Sequence, residues 1–140
     1  MKYVTGIFGL NIEDSLEDAC GDWHTSGINW DNLVLYESES SLFGDYGIET
    51  NKRIPCHDGL YNVANTIRCV LDLMVGKHTR YLKGFRNDFF CSDKYNEEIF
   101  NKVYELRGLD NWNEINTLMK REYMSEWDKY IGSKEKKNHV

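Results

Sequence analysis

Three stretches in the C-terminal half carry apolar residues at helical spacing, and this constrains the fold more than any other feature. Between Asp58 and Gly76 they fall at Leu60, Val63, Ala64, Ile67, Val70, Leu71 and Met74. These positions trace one stripe of an α-helix, which must be buried against another layer. The spacing predicts a helix over about residues 59–75. Asp58 is the expected N-cap, since a short carboxylate accepts from free backbone N–H groups, and Gly76 the expected left-handed stop. A second helix fits about 94–107, with Tyr95, Ile99, Val103 and Leu106 on one face and Gly108 beyond. A third fits about 111–131, lined by Trp112, Ile115, Met119, Tyr123, Trp127 and Tyr130. Asn111 and Glu114 approximate a capping box at its start. Residues 133–140 are polar and basic and read as a flexible tail.

The N-terminal half has a different texture. Tyr3–Leu10 and Leu33–Glu37 are rich enough in β-branched and aromatic residues to be strands. Phe43–Glu49 reads as a glycine-punctuated turn leading into another strand. The expected class is α+β: a small antiparallel sheet over about residues 2–50, packed with three C-terminal helices. One domain over 1–132 is expected, because fifty residues alone bury too little surface to stand by themselves.

Charge divides along the same line. Residues 1–51 hold ten carboxylates and a single base, Lys2, for a formal charge of −9. Residues 52–86 hold seven bases against Asp58 and Asp72. The sign changes near Thr50–Pro55, read as a connection between layers. Ten carboxylates cannot be buried unpaired, so most must lie on the surface. A negative layer repels nucleic acid and attracts basic proteins. The expected binding residues are Glu13, Asp14, Glu17, Asp18, Glu37, Glu39 and Asp45. Aromatic anchors are expected from Trp23, Trp30, Tyr36, Phe43 and Tyr46.

Several function classes are disfavoured. An aromatic content of 14% argues against disorder. No window approaches the roughly 18 apolar residues of a membrane span. The N-terminus fails as a signal peptide, which makes the cytoplasm the expected compartment and the four cysteines free thiols, ligands or core residues. No phosphate-cradling glycine loop, dinucleotide fingerprint, HExxH or G-x-S-x-G element occurs, and no cofactor is expected.

Three clusters could carry chemistry. Cys20–Ser26 packs a thiol, Asp22, His24 and two hydroxyls into seven residues. His24 could move a proton near neutral pH with Asp22 beside it, and the bland reading is a structured loop. Cys20, His24, Cys56 and His57 are chemically suited to zinc, but adjacent ligands such as Cys56-His57 rarely converge on one tetrahedral ion, so no metal is expected. The segment 77–86 interleaves Lys77, Arg80, Lys83 and Arg86 with aromatics and is the candidate anion-binding strip.

Together these features lead to the expectation of a small acidic interaction protein. Its partner would be a basic nucleic-acid-processing protein, in the manner of inhibitors and antitoxins carried by phage or mobile elements. The competing expectation is a small hydrolase-like enzyme with an Asp22/His24 centre, acting on an anionic substrate held by the 77–86 strip.

Overall fold

A computed structural model describes residues 1–16, 28–90 and 92–138. Among them the strands are β1 (Lys2–Tyr3), β2 (Tyr36–Glu37), β3 (Ile48–Lys52) and β4 (Tyr61–Ala64). The helices are α1 (Gly6–Gly9), α2 (Thr66–Val75), α3 (Phe85–Phe89), α4 (Asn96–Tyr104), α5 (Trp112–Tyr123) and α6 (Ser125–Asn138). The class is α+β, as the sequence pattern implies.

β1 pairs antiparallel with β2, placing Tyr3 opposite Tyr36. β3 pairs antiparallel with β4. Val4 then bridges the two ribbons, pairing in parallel with Val63. Its N–H donates to the Asn62 carbonyl at 2.8 Å and its carbonyl accepts from Ala64 N–H at 2.8 Å. The spatial order is therefore β2-β1-β4-β3.

Several boundaries differ from expectation for physical reasons. The stretch 61–64 is strand and not helix, because Tyr61 and Val63 pair with Lys52 and Glu49 of β3 while the Asn62 carbonyl and Ala64 N–H bond to Val4. The first long helix begins at Thr66. Its N-cap is Asn65, whose side chain accepts from Arg68 N–H at 2.9 Å, and Asp58 is exposed and takes no part. The left-handed residue ending it is Lys77 at φ 64°, not Gly76. His78 N–H closes that end on the Leu73 carbonyl at 2.8 Å. Asn111 does not cap α5 with its side chain; it donates instead to the Met74 carbonyl at 2.9 Å, at the end of α2, which also accepts from Lys77 N–H at 3.2 Å. The strand expected over Tyr3–Leu10 stops at Tyr3, and Gly6–Gly9 turn helical.

The third expected helix is two helices. Trp127 Nε1 donates to Asn116 Oδ1 at 2.8 Å, and the Trp112 and Trp127 rings lie 6.3 Å apart. Eleven residues of continuous helix would separate 116 from 127 by about 16 Å. The chain must double back, and it does so at Met124, which takes φ 51°. The reversal lays Trp127 on Phe100 of α4 at 5.2 Å and stacks it on Tyr130 at 5.5 Å. Residues through Asn138 remain helical, so the expected tail beyond 132 is largely an extension of α6.

The main core gathers around α2, which is buried on nearly every side by Ile67, Cys69, Val70, Leu71, Leu73 and Met74. A smaller cluster of Val4, Ile54 and Val63 packs with Phe8, Trp30 and Leu33 on the other face of β4. Amid α2 lies Arg68, with no solvent exposure. All five guanidinium N–H groups are used. Nε meets Asp72 Oδ1 at 3.0 Å; Nη1 meets the carbonyls of Gly44 at 2.8 Å and Tyr46 at 2.6 Å; Nη2 meets Ser41 Oγ at 2.7 Å and Tyr3 Oη at 3.0 Å. The guanidinium also lies over the Tyr3 and Phe43 rings, at 5.1 and 5.7 Å. One buried cation thus fastens the 41–46 loop to the helical half.

Candidate functional site

The acidic half has an open side. β2 is the outermost strand of its ribbon, paired only with β1 among the described residues. Ser38 N–H donates to the Met1 carbonyl at 2.9 Å, so the alternation of an antiparallel ladder turns the backbone groups of Tyr36 inward and those of Leu35 and Glu37 outward.

Apolar side chains crowd this outer edge. Val34 is 63% exposed, Leu35 38%, Tyr36 51%, and Leu42, on the following loop, 63%. Scattered exposed apolar residues are ordinary; three consecutive ones with a fourth on the adjoining loop call for a covering surface. The same stretch of chain carries the exposed carboxylates Asp31, Glu37, Glu39 and Asp45. Glu37 and Glu39 approach the α-amino group of Met1 at 2.8 and 4.0 Å. Their pull raises that amine's pKa, the hydrogen bond to Glu37 chiefly, with Glu39 and Asp45 adding to it. Glu37, Glu39 and Asp45 therefore act on one point of the surface.

The other expected binding residues have varied surroundings. Glu13 is exposed, and its carbonyl accepts from Lys52 Nζ. Asp14 turns inward. Its Oδ2 accepts from Thr66 N–H at 2.6 Å and Thr66 Oγ1 at 2.7 Å, neutralising the start of α2. Trp30 is half-buried against Phe8 at 5.2 Å. Phe43 and Tyr46 are not exposed anchors: Phe43 is buried under Arg68, and half-buried Tyr46 packs on the core and donates its hydroxyl to Glu98. Burial and that carboxylate hold the Tyr46 phenol well above its usual range. Glu49 is engaged by Lys52 at 2.7 Å and by Ser15.

Glu17, Asp18, Trp23, and the Asp22/His24 pair lie outside the described residues, as does Cys20. Cys56 is exposed, and His57 donates from Nε2 to the Trp30 carbonyl at 2.8 Å, which commits that nitrogen. No group of three or more His, Cys, Asp or Glu converges among the described residues.

The basic strip is divided. Lys77 pairs with Asp110 at 2.9 Å. Arg86 pairs with Asp93 at 3.1 Å and Glu126 at 3.3 Å, and lies over the Tyr123 ring. Arg80 and Lys83 instead line a cleft of about 580 Å³ together with Arg121 of α5. Sequence reasoning missed Arg121 because it sits 35 residues beyond the end of the strip. The available signal was Asn113, Thr117 and Arg121 at four-residue steps, the polar face opposite the apolar stripe of α5.

No helix of the described residues is long and apolar enough to cross a membrane. No family of known proteins matches this chain, and no curated protein or solved structure is significantly similar to it.

Proposed function

We propose that this chain is a small interaction protein whose acidic layer binds a basic protein partner, with Val34, Leu35, Tyr36 and Leu42 at the centre of the contact. The observation that carries this reading is the run of exposed apolar residues in a stretch that also exposes Asp31, Glu37, Glu39 and Asp45. Apolar anchors inside a charged rim are the usual anatomy of a specific interface: the centre supplies affinity and the rim steers the encounter. The complementary surface is a basic groove with an apolar floor, of the kind that nucleic-acid-processing proteins present. Occupying such a groove would make the chain an inhibitor or antitoxin-like binder.

The test compares two surface variants, Leu35→Ser with Leu42→Ser, and Glu37→Lys with Glu39→Lys and Asp45→Lys, in affinity capture from the native host followed by titration of the recovered partner. The apolar variant should weaken binding by about 2 kcal/mol or more, as truncating anchors does. The charge variant should slow association and flatten its salt dependence. A partner that binds both variants as tightly as the parent, with the same salt dependence, would end this reading.

A further inference from the structure

A second, separate site lies on the helical half. The cleft between the 79–82 turn and α5 gathers Arg80, Lys83 and Arg121, while a single carboxylate, Glu114, lines it. Its charge is net positive in a chain of net charge −6. Arg80 and Lys83 make no ion pair among the described residues, unlike their neighbours Lys77 and Arg86. Arg121 approaches Glu122 at 3.6 Å, but both oxygens of Glu122 are bonded elsewhere, to Gly84 N–H and Arg86 N–H at 3.1 Å each. The cleft thus holds three cations, two of them without an ion pair among the described residues and the third beside Glu122.

We infer that this cleft binds an organic phosphate of about mononucleotide size. Three cations against Glu114 and Glu122 leave the cleft net positive, which suits an anionic group such as a phosphate monoester at neutral pH. Two of the cations are arginines, whose planar forks match phosphate oxygens. The cleft is far larger than a phosphate ion needs and lies within the range of small-molecule sites, about 300–1,000 Å³. Its remaining lining suits an uncharged organic part. Leu118 offers an apolar floor, Asn113 and Thr117 offer hydrogen bonds, and Glu114 can accept from a sugar hydroxyl. Tyr81, 43% exposed, carries the Arg80 guanidinium at 4.7 Å from its ring centre, which orients that cation. The site does not depend on the acidic surface.

The experiment is calorimetric titration of the full chain at low salt with AMP, ribose 5-phosphate and adenosine. Both phosphates should bind with Kd of about 1 mM or tighter, and adenosine at least tenfold more weakly, about the loss expected for a removed charge-assisted contact. Arg80→Glu with Arg121→Glu should weaken AMP by at least about tenfold, while Lys77→Glu, outside the cleft, should leave it unchanged. Arg80→Gln with Arg121→Gln, confirmed folded by circular dichroism, checks that the loss follows charge. Silence of both phosphates at about 10 mM would overturn the inference. So would equal AMP binding by parent and double variant, or adenosine binding as tightly as AMP. Cleft-dependent binding of a single strand of about 20 nucleotides, far tighter than AMP and steeply salt-dependent, would replace it with a nucleic-acid backbone site.

Discussion

Replacing Arg68 by Met keeps the length and apolar stem of the side chain but removes five hydrogen bonds at once. The carbonyls of Gly44 and Tyr46, the Ser41 hydroxyl and Asp72 Oδ1 all lose a donor that has no water to replace it, since Arg68 is fully buried. Asp72 keeps Tyr3 Oη at 2.7 Å and Thr5 Oγ1 at 2.8 Å on its other oxygen, so its charge is not wholly stranded. Removing one partner of a buried ion pair costs about 3–5 kcal/mol, against a total stability of roughly 5–15 kcal/mol. With a urea slope of about 2 kcal/mol/M, the unfolding midpoint should fall by roughly 1.5–2.5 M. Arg68→Lys separates charge from geometry. An ammonium holds the charge but cannot reach five differently placed acceptors, so it should recover less than half of the loss. Adding Asp72→Asn to Arg68→Met should cost less than the sum of the single changes, because the two groups are coupled. A loss below about 1 kcal/mol in Arg68→Met, or full recovery by lysine, would refute the assignment of this residue as the fastener of the 41–46 loop.

Two further outcomes are expected. Gly47→Ala should lower Tm by roughly 5–10 °C: Gly47 holds φ 72°, and a Cβ there would sit 2.9 Å from both Arg68 Cβ and Asn65 Oδ1. An unchanged thermal scan would contradict that crowding. Partial burial pushes the Glu49 carboxyl upward, but Lys52 and the two Ser15 hydrogen bonds outweigh it and hold the pKa below the ordinary value. A lowered folded pKa adds stability above the unfolded value of about 4.3 that is lost as pH falls through the folded one. Glu49→Gln should therefore be less stable than the parent in urea at neutral pH and match it in strong acid; an equal gap at both would disprove the linkage.

The helical half was legible where burial is one-sided. The apolar stripes of α4 and α5 lie where the spacing puts them, with Ile99, Val103, Ile115 and Met119 inside. Residues 61–64 misled because Leu60, Val63 and Ala64 fit a helical spacing, whereas β4 buries Val63 on one face and Ala64 on the other and so shows no alternation. The turn at Met124 left no trace, having neither glycine nor proline and leaving the stripe in phase across it. In the sequence Arg68 is only one of the seven bases of residues 52–86, since nothing local marks an arginine four of whose five acceptors lie 22 to 65 residues away. The acidic edge was partly visible: Glu37, Glu39 and Asp45 are exposed, whereas Asp14, Phe43 and Tyr46 are occupied by contacts that only the fold creates.

The bridge from Val4 to β4 bears on how this chain could have been assembled or divided. Adjacent residues of β4 serve different clusters, Val63 on one face and Ala64 on the other. Its partners, β1 and β3, both come from the negative stretch, whereas β4 lies past the point where the charge changes sign. The boundary in charge is therefore not a joint in the architecture. A truncation or recombination crossover at residues 52–60 would strip both strands of their shared neighbour, so the negative surface cannot be grafted elsewhere without carrying β4 with it.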